Sequence, residues 1–393
     1  ESFLPLALSP VSVNQQGRTG TPSKRSEDNP TVKLSHFEAL QPVCPVCRTE
    51  RQREDSRLVI GTIERRSDTT IEEGLLLCAS ADCQREYPII DGIPLIIPHL
   101  RSWLSTNIAQ INARDDLGAI TESLLTDCCG PGSAFDTTRQ HVSSYAWDHY
   151  AEFDPLEPIR EDPPGLVVRL LDQCLQLAGS FPKGPLLDVG CGAGRTSFAL
   201  AERSSDLVLG IDLHYAMLRI AARVLSTGTV RYTRRRVGIV YDRREFPAAF
   251  PNSDQVDFWA CDANSLPFRD KQFAAVIGLN VLDCANSPLS FLQSVARVTA
   301  AGGKVILACP YDWSAAATPI EHWLGGHSQR CESRGATEPV LRSLLTSGAH
   351  PCAIQGLHLI AEADNLPWHV RLHDRSTMQY SVHAIVAKVE DAE

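Results

Sequence analysis

The sequence predicts an α/β fold: a parallel sheet with one terminal antiparallel strand, joined to a small cysteine-bearing unit near the N-terminus. Three observations predict it. From Leu166 onward, short apolar runs alternate with amphipathic stretches. One of those runs ends in a glycine-rich turn, Gly190-Cys-Gly-Ala-Gly194. Two cysteine pairs, Cys44-Pro-Val-Cys47 and Cys78-Ala-Ser-Ala-Asp-Cys83, stand about 30 residues apart in the N-terminal part.

Seven strands are read from the apolar runs: Pro185–Val189, Leu207–Asp212, Asp257–Cys261, Ala274–Leu279, Lys304–Ala308, Leu357–Glu362 and Ser381–Val389. Helical patterns fill most of the gaps, and alternating strands and helices imply a parallel sheet covered on both faces. The last two strands are separated only by a loop, Ala363 to Tyr380. A connection without a helix suits an antiparallel pair, since parallel strands need a crossover.

Upstream, residues 9 to 31 are rich in Ser, Gln, Asn, Gly, Thr and Pro, and a loose arm is expected over residues 1–35. Residues 36–100 read as a compact unit closing in Tyr87-Pro-Ile-Ile-Asp-Gly-Ile-Pro-Leu-Ile-Ile-Pro98. The Asp91-Gly92 pair between two apolar runs predicts a hairpin. Residues 101–165 read as a helical linker or lid, and residues 166–393 as the main domain. The stretch Arg139 to Phe153, rich in Tyr, Trp and His, is placed to cover a pocket.

Composition sets bounds on function. The chain has 393 residues, 43% hydrophobic and 21% charged, as globular proteins do. A net charge of −10 argues against a surface devoted to nucleic acid. No apolar run reaches about 18 residues, so no membrane span is expected. Phe3-Leu-Pro-Leu-Ala-Leu8 is too short for a signal core and is broken by Pro5. Thirteen cysteines, mostly single and inside apolar segments, do not form a disulfide framework. A reducing, cytoplasmic setting is expected.

The glycine turn follows a strand and opens a helix, the placement of a nucleotide-binding loop. Asp188 precedes it in Asp188-Val-Gly-Cys-Gly192. Asp212 ends the second strand, where a carboxylate can accept both hydroxyls of a ribose. Cys261-Asp-Ala-Asn-Ser-Leu-Pro267 ends the third. A dinucleotide fingerprint would place a glycine where Arg195 stands, which argues against a nicotinamide cofactor. After the fourth strand, Gly278-Leu-Asn-Val-Leu-Asp-Cys284 carries Asn280 and Asp283. Asn/Asp-Pro-Pro-Tyr is absent there. After the fifth come Cys309-Pro-Tyr-Asp-Trp313 and Thr318-Pro-Ile-Glu-His-Trp-Leu-Gly-Gly326. Tyr311, Trp313, Glu321 and Trp323 would supply aromatic faces and a carboxylate, a set suited to a flat, partly cationic small molecule. The alternative for this segment is a lid packed on the domain.

These motifs resemble those of class I S-adenosylmethionine-dependent methyltransferases, with their Rossmann-like sheet of seven strands, the last one antiparallel. The resemblance implies S-adenosylmethionine held by Asp188, Gly190, Cys191, Gly192, Gly194, Asp212, Leu213, Asp262, Ala263 and Asn280. In that family the absent Asn/Asp-Pro-Pro-Tyr motif serves methylation of base amines and glutamine amides. Within the class, Asn280-x-x-Asp283, Pro310-Tyr-x-Trp313 and Thr318-Pro-x-Glu-x-Trp-Leu-Gly-Gly326 are similar to the methyltransferase domain of ovothiol-synthesising enzymes. So are Leu366-Pro-Trp-His-Val-Arg371 and Tyr380-Ser-Val-His-Ala-Ile385, over about residues 140 to 390. The helix Tyr145-Ala-Trp-Asp-His-Tyr150 is similar to its leading Tyr-x-x-x-His-Tyr helix. That domain methylates an imidazole nitrogen of a mercaptohistidine. The resemblance implies catalytic roles for Asn280, Asp283 and Tyr311. It implies substrate contacts from Tyr145, His149, Tyr150, Trp313, Glu321 and Trp323. The sulfur-insertion module and its iron-binding His motif are missing from the N-terminal region, so the acceptor is expected to be an imidazole or another small heteroaromatic amine.

C-x2-C followed by C-x4-C fits a four-thiolate zinc site made of Cys44, Cys47, Cys78 and Cys83. The segment resembles the zinc ribbon of the small activator subunit of tRNA and release-factor methyltransferases. A closed site of this kind does folding or docking work, through which a protein partner could bind. Arg231-Tyr-Thr-Arg-Arg-Arg236, with Arg243 and Arg244, reads either as a solvated loop or as a phosphate-binding patch. The second reading supports the alternative function, an RNA methyltransferase that uses the ribbon and this patch.

Overall fold

The computed structural model describes residues 32–51, 56–67, 70–114, 117–159 and 161–390. The arm expected over residues 1–35 lies outside the described residues as far as residue 31. From Val32 the chain is already part of the N-terminal unit. That unit contains β1 (Val32–Lys33), α1 (Leu34–Leu40), α2 (Pro45–Thr49), β2 (Leu58–Ser67), β3 (Thr70–Cys78), β4 (Glu86–Ile90) and β5 (Ile93–Ile96). β4 and β5 form the expected antiparallel hairpin. Asp91 and Gly92 both take positive φ, 50° and 72°, which the tight turn requires.

Three helices follow: α3 (Leu100–Ile111), α4 (Ala119–Cys129) and α5 (Ala134–Tyr150). The Ser133 side chain caps α5, accepting from the Asp136 amide at 3.1 Å. The main domain then runs α6 (Leu166–Ala178), β6 (Leu186–Val189), α7 (Arg195–Arg203), β7 (Val208–Asp212) and α8 (Tyr215–Thr227). It continues through β8 (Thr229–Val237), β9 (Val240–Pro247), β10 (Val256–Cys261), β11 (Phe273–Leu279) and α9 (Pro288–Val298). It ends with β12 (Thr299–Cys309), α10 (Glu338–Leu344), β13 (Leu357–His373) and β14 (Ser376–Val389).

The seven strands read from the sequence lie side by side in the order β10-β7-β6-β11-β12-β14-β13, with β14 antiparallel to both neighbours. The sheet does not stop there. Among the described residues it has twelve strands, because the N-terminal unit joins it edge to edge. β5 pairs in parallel with β10, Leu95 beside Ala260 and Ile96 beside Cys261. The unit expected to be separate is therefore continuous with the main domain. The Val43 amide donates to the Pro267 carbonyl at 2.9 Å, and the Gln272 side chain donates to the Leu40 carbonyl at 2.6 Å.

Strand alternation divides the core. Leu186, Val208, Phe258 and Ile277 face one side, under α6, α7 and α8. Leu187, Leu209, Trp259 and Val276 face the other, with α9, α10 and α1.

Two sequence readings are corrected. The segment Ala363 to Tyr380, expected to be a loop, is mostly strand: β13 runs on to His373 and turns directly into β14. Asp364-Asn-Leu-Pro367 looks like a turn but is absorbed by a register shift between Ala363 and Leu366, with Asn365 at φ 59°. The arginine-rich segment is not a loop but the β8–β9 hairpin, a separate two-stranded sheet.

Candidate functional site

The loops after β6, β7, β10 and β11 meet at one edge of the sheet, where ligands of open α/β folds lie. The loop after β6 is shaped by glycine. Gly190 has φ 69°, and a Cβ there would stand 2.2 Å from Val281 Cγ2. Gly194 has φ 89°, and a Cβ there would strike Ala221 and Phe258 at 2.7 Å. The Gly190 and Cys191 amides both donate to the Ile211 carbonyl, at 2.8 and 3.0 Å. Cys191 is buried, so its thiol belongs to the core and its backbone to the loop.

Asp188 lies behind this loop. Its Oδ2 accepts from the Thr196 and Ser197 hydroxyls, both at 2.6 Å, tying β6 to the first turn of α7. Burial pushes its carboxyl up to about 6, against the pull of those two hydroxyls. Asp212 is tied to the backbone through both oxygens: Oδ2 accepts from Gly192 at 2.8 Å and Oδ1 from His214 at 2.7 Å. Each oxygen keeps a lone pair for a ribose hydroxyl. Leu213 is partly exposed beside it. Asp262 Oδ1 accepts from the Asn264 amide at 2.9 Å, shaping the turn that starts at Ala263. Asn280 sits at φ 57° with its Oδ1 buried and without a partner. A buried acceptor of this kind calls for a donor from a ligand.

The helix α5 closes the other side. The Tyr150 hydroxyl donates to the Ala193 carbonyl at 2.6 Å. His149 Nδ1 accepts from the Arg195 amide at 3.2 Å. Burial, and then the Arg195 guanidinium, lower the His149 imidazole to about 3, so it is neutral. Both side chains, expected to touch substrate, brace the glycine loop. The Arg195 guanidinium lies 4.6 Å from the Phe250 ring centroid. With the first amide of α7 taken by His149, the helix start lacks that donor for a pyrophosphate.

Past Asn280, Asp283 is buried, and its Oδ2 accepts from the Asp312 amide at 2.7 Å. Burial raises its carboxyl above the ordinary range. Nearby stands an aromatic ladder. Tyr145 stacks on Trp368 at 6.4 Å between centroids, and Trp368 stacks on Tyr380 at 4.9 Å. Trp368 and Tyr380 are cross-strand partners in β13 and β14. The Trp368 indole N–H donates to Asp148 at 2.9 Å, and the same carboxylate accepts from the Leu166 amide at 2.8 Å. The Tyr380 hydroxyl donates to Asp312 Oδ2 at 3.1 Å.

Other expected residues lie elsewhere. Tyr311 takes φ 57° and hydrogen-bonds His383 Nδ1 at 2.7 Å. His383 shares the face of Ile385 and Ala387, opposite to the face that carries Tyr380 and Val382. Trp313 and Trp323 stack on each other at 5.9 Å. Their N–H groups donate to Thr337 Oγ1 at 3.2 Å and to the Thr318 carbonyl at 2.8 Å. Glu321 is exposed. The Thr318 hydroxyl donates to the Asp283 and Ala285 carbonyls at 2.9 and 2.8 Å, which ties this segment to the loop after β11. Trp368, Tyr380 and Asp312 were not singled out as site residues. Leu366-Pro-Trp and Asp312-Trp mark two of them in the sequence, but the long β-hairpin that brings them together has turn-like residues at Asp364-Asn-Leu-Pro367.

In the N-terminal unit the four cysteine sulfurs lie within 4.8 Å of one another. Cys44 and Cys83 are 3.9 Å apart, and Cys47 and Cys78 3.7 Å. Tetrahedral zinc with bonds of about 2.3 Å needs sulfur–sulfur edges of about 3.8 Å, so the donor set fits that ion. The Tyr87 hydroxyl is 3.2 Å from Cys44 Sγ.

The arginines of the hairpin are engaged within the chain. Arg234 pairs with Glu157 at 3.3 Å and Asp374 at 2.8 Å, and Arg244 with Asp154 at 2.6 Å. Arg243 bonds Glu122, Arg231 lies 3.7 Å from Glu245, and Arg236 lies 3.6 Å from Asp242. Arg243 ties the hairpin to α4, Arg234 and Arg244 tie it to the segment after α5, and each of these five arginines has an acidic neighbour. Among the described residues no helix is long and apolar enough to cross a membrane.

Residues 187–307 match the family model described as a methyltransferase domain. The chain is similar to the ubiquinone biosynthesis O-methyltransferase of Pseudomonas paraeruginosa, 32% identical over 162 residues, 41% of this chain and 56% of that protein. It is also similar to the demethylmenaquinone methyltransferase of Renibacterium salmoninarum, 31% identical over 130 residues, 33% of this chain and 43% of that one. The chain thus spans about half the length of the curated relatives it matches. Among solved structures, a SAM-dependent methyltransferase of Methanosarcina mazei aligns with a TM-score of 0.35 at 19% identity, covering 57% of this chain and 98% of that one.

Proposed function

We propose, because the chain is built around a class I S-adenosylmethionine-dependent methyltransferase domain that matches its family over residues 187–307, that it transfers a methyl group to a ring nitrogen of a small imidazole-type acceptor. The observation that carries this reading is the buried Asp283 beside the Tyr145–Trp368–Tyr380 ladder, one loop away from the glycine turn. S-adenosylmethionine supplies a methyl group already activated on a sulfonium. Gly190, Gly192, Gly194, Asp188 and Cys191 form and support its loop. Asp212 and Leu213 would face the ribose, and Asp262 and Ala263 the adenine. The unpartnered Asn280 Oδ1 is suited to an ammonium donor.

The protein then has two tasks: to align a flat ring and to remove one proton. Tyr145 and Tyr380, half-buried on either side of the buried Trp368, would align the ring. Asp283, its carboxyl raised by burial, would be the base that takes the proton lost by the methylated ring. The four cysteines Cys44, Cys47, Cys78 and Cys83 would hold zinc for folding, with no open position for substrate.

A second reading follows from the relatives' names, an oxygen acceptor such as a phenol. The RNA reading is weakened by the engaged arginines. The test is transfer of a labelled methyl group by the full chain to a panel of histidine derivatives, phenols and RNA. Transfer to an imidazole nitrogen is expected; transfer to phenols or RNA alone would refute the proposal.

A further inference from the structure

Tyr311 follows β12 in a left-handed backbone conformation, φ 57°. An aromatic residue takes that conformation at a cost, and it persists where the surroundings over-determine it. A line of side chains does so here. The Tyr311 hydroxyl lies 2.7 Å from His383 Nδ1, and His383 Nε2 lies 3.2 Å from Glu362 Oε2. The carboxylate can only accept, so Nε2 carries the proton, and in the neutral ring Nδ1 accepts from the hydroxyl. Glu362 is held in turn by Arg342, whose Nε donates to Oε2 at 2.8 Å and to Oε1 at 3.1 Å. That guanidinium keeps the Glu362 carboxyl below its usual range. The line thus runs from the exposed Arg342 and Glu362 to the buried His383. At its inner end, the residue after Tyr311 donates its amide to the putting-in-place of the base: the Asp312 N–H bonds Asp283 Oδ2 at 2.7 Å. Burial raises the Asp283 carboxyl, and the bond from the Asp312 amide pulls it back. Cys284, Cys309, Tyr145 and Tyr380 face Asp283 from its own loop, β12, α5 and β14. Burial raises each of them, so none loses its proton alongside the carboxyl. Asp212 and Asp312 act on the Cys284 thiol from the same edge.

We propose that His383 is a positioning residue: held by the Arg342–Glu362 pair, it pins the Tyr311 hydroxyl and so fixes the backbone that presents the Asp312 amide to Asp283. This rests on the proposed role of Asp283 as the base and adds the device that orients it. His383 lies on the face of β14 opposite to Tyr380, so it acts through the backbone rather than on the acceptor.

The test follows the Asp283 carboxyl by carbon-13 NMR through a pH titration of the full chain, labelled at aspartate and saturated with S-adenosylhomocysteine. The signal missing in Asp283→Asn assigns it. Tyr311→Phe removes only a hydroxyl and should raise the Asp283 midpoint by about one pH unit, the effect of losing one hydrogen bond to a carboxylate. Glu362→Ala, at an exposed position, frees the imidazole and should move the midpoint the same way. Glu362→Gln should move it less, since its amide oxygen still accepts from Nε2. The sign discriminates: loss of the Glu362 charge alone would lower the Asp283 midpoint, whereas loss of the amide bond raises it. An unchanged or lowered midpoint in Tyr311→Phe or in Glu362→Ala would overturn the proposal, and if Tyr311→Phe does not fold, Glu362→Ala decides alone. Raised midpoints in the variants, with no methyl transfer to any imidazole by the wild type, would instead overturn the assignment of the base and leave the positioning of Asp283 standing.

Discussion

The Tyr150 hydroxyl donates to the carbonyl oxygen of Ala193 across 43 residues of sequence, at 2.6 Å and fully buried. Through this bond a helix that precedes the sheet sets the conformation of the donor loop. Tyr150→Phe leaves the Ala193 carbonyl buried without its donor, at a cost of about 1–3 kcal/mol. S-adenosylhomocysteine should bind roughly fivefold to a hundredfold more weakly, by calorimetry. Unchanged affinity would show that the loop holds its shape without α5.

His149 gives stability a defined pH dependence. Its imidazole titrates near 3 in the folded chain and near 6.5 when unfolded. Above about pH 6.5 both states are neutral and there is no penalty. Below it, the unfolded chain takes up a proton that the folded chain refuses, so stability is lost as pH falls from about 6.5 to 3. By about pH 5 the loss amounts to about 2 kcal/mol. In His149→Gln this loss is absent, so the stability gap between wild type and variant should narrow from pH 7.5 to pH 5 in urea melts. A constant gap would contradict the neutral, buried imidazole.

The shared edge of β5 and β10 makes the cysteine unit and the main domain one cooperative structure. Metal analysis should find one zinc per chain. Cys47→Ser or a strong chelator should lower a single thermal transition for the whole chain, and weaken cofactor binding through the Val43–Pro267 contact. Two separate transitions, with the main domain unmoved, would contradict this coupling.

Arg244 and Asp154 form a buried pair under the β8–β9 hairpin. Arg244→Ala leaves the carboxylate uncompensated and should destabilise the chain by about 3–5 kcal/mol. RNA retention on a filter should be equally low for wild type and variant at any salt. Strong, salt-dependent retention by the wild type would restore the nucleic-acid reading.

The glycine loop and the strands beside it were legible because they depend on local pattern. Gly190, Gly192 and Gly194 follow a strand, and Asp212 and Asp262 end the next ones, so adjacency in the sheet follows from the order of elements. The acceptor side depends on tertiary pairing. Trp368 meets Tyr380 only because β13 and β14 continue through Asp364-Asn-Leu-Pro367, whose turn-like residues sit in a register shift. Tyr311, Trp313 and Trp323 carried the right chemistry, but the left-handed backbone at Tyr311 and the mutual stacking of the tryptophans direct them elsewhere. The joining of the cysteine unit to the sheet was hidden as well, since Ile93–Ile96 reads as the end of a hairpin and carries no mark of its second partner.

The central claim is that the methyl group goes to a ring nitrogen of a small heteroaromatic molecule beside Asp283. Its most direct test is to locate the transferred methyl in the product, by NMR of a reaction with carbon-13-methyl-labelled S-adenosylmethionine and an imidazole amine. The account predicts a single N-methyl imidazole resonance, lost in Asp283→Asn while cofactor binding persists. A product methylated on oxygen or sulfur, or label found only in RNA or protein, would contradict it.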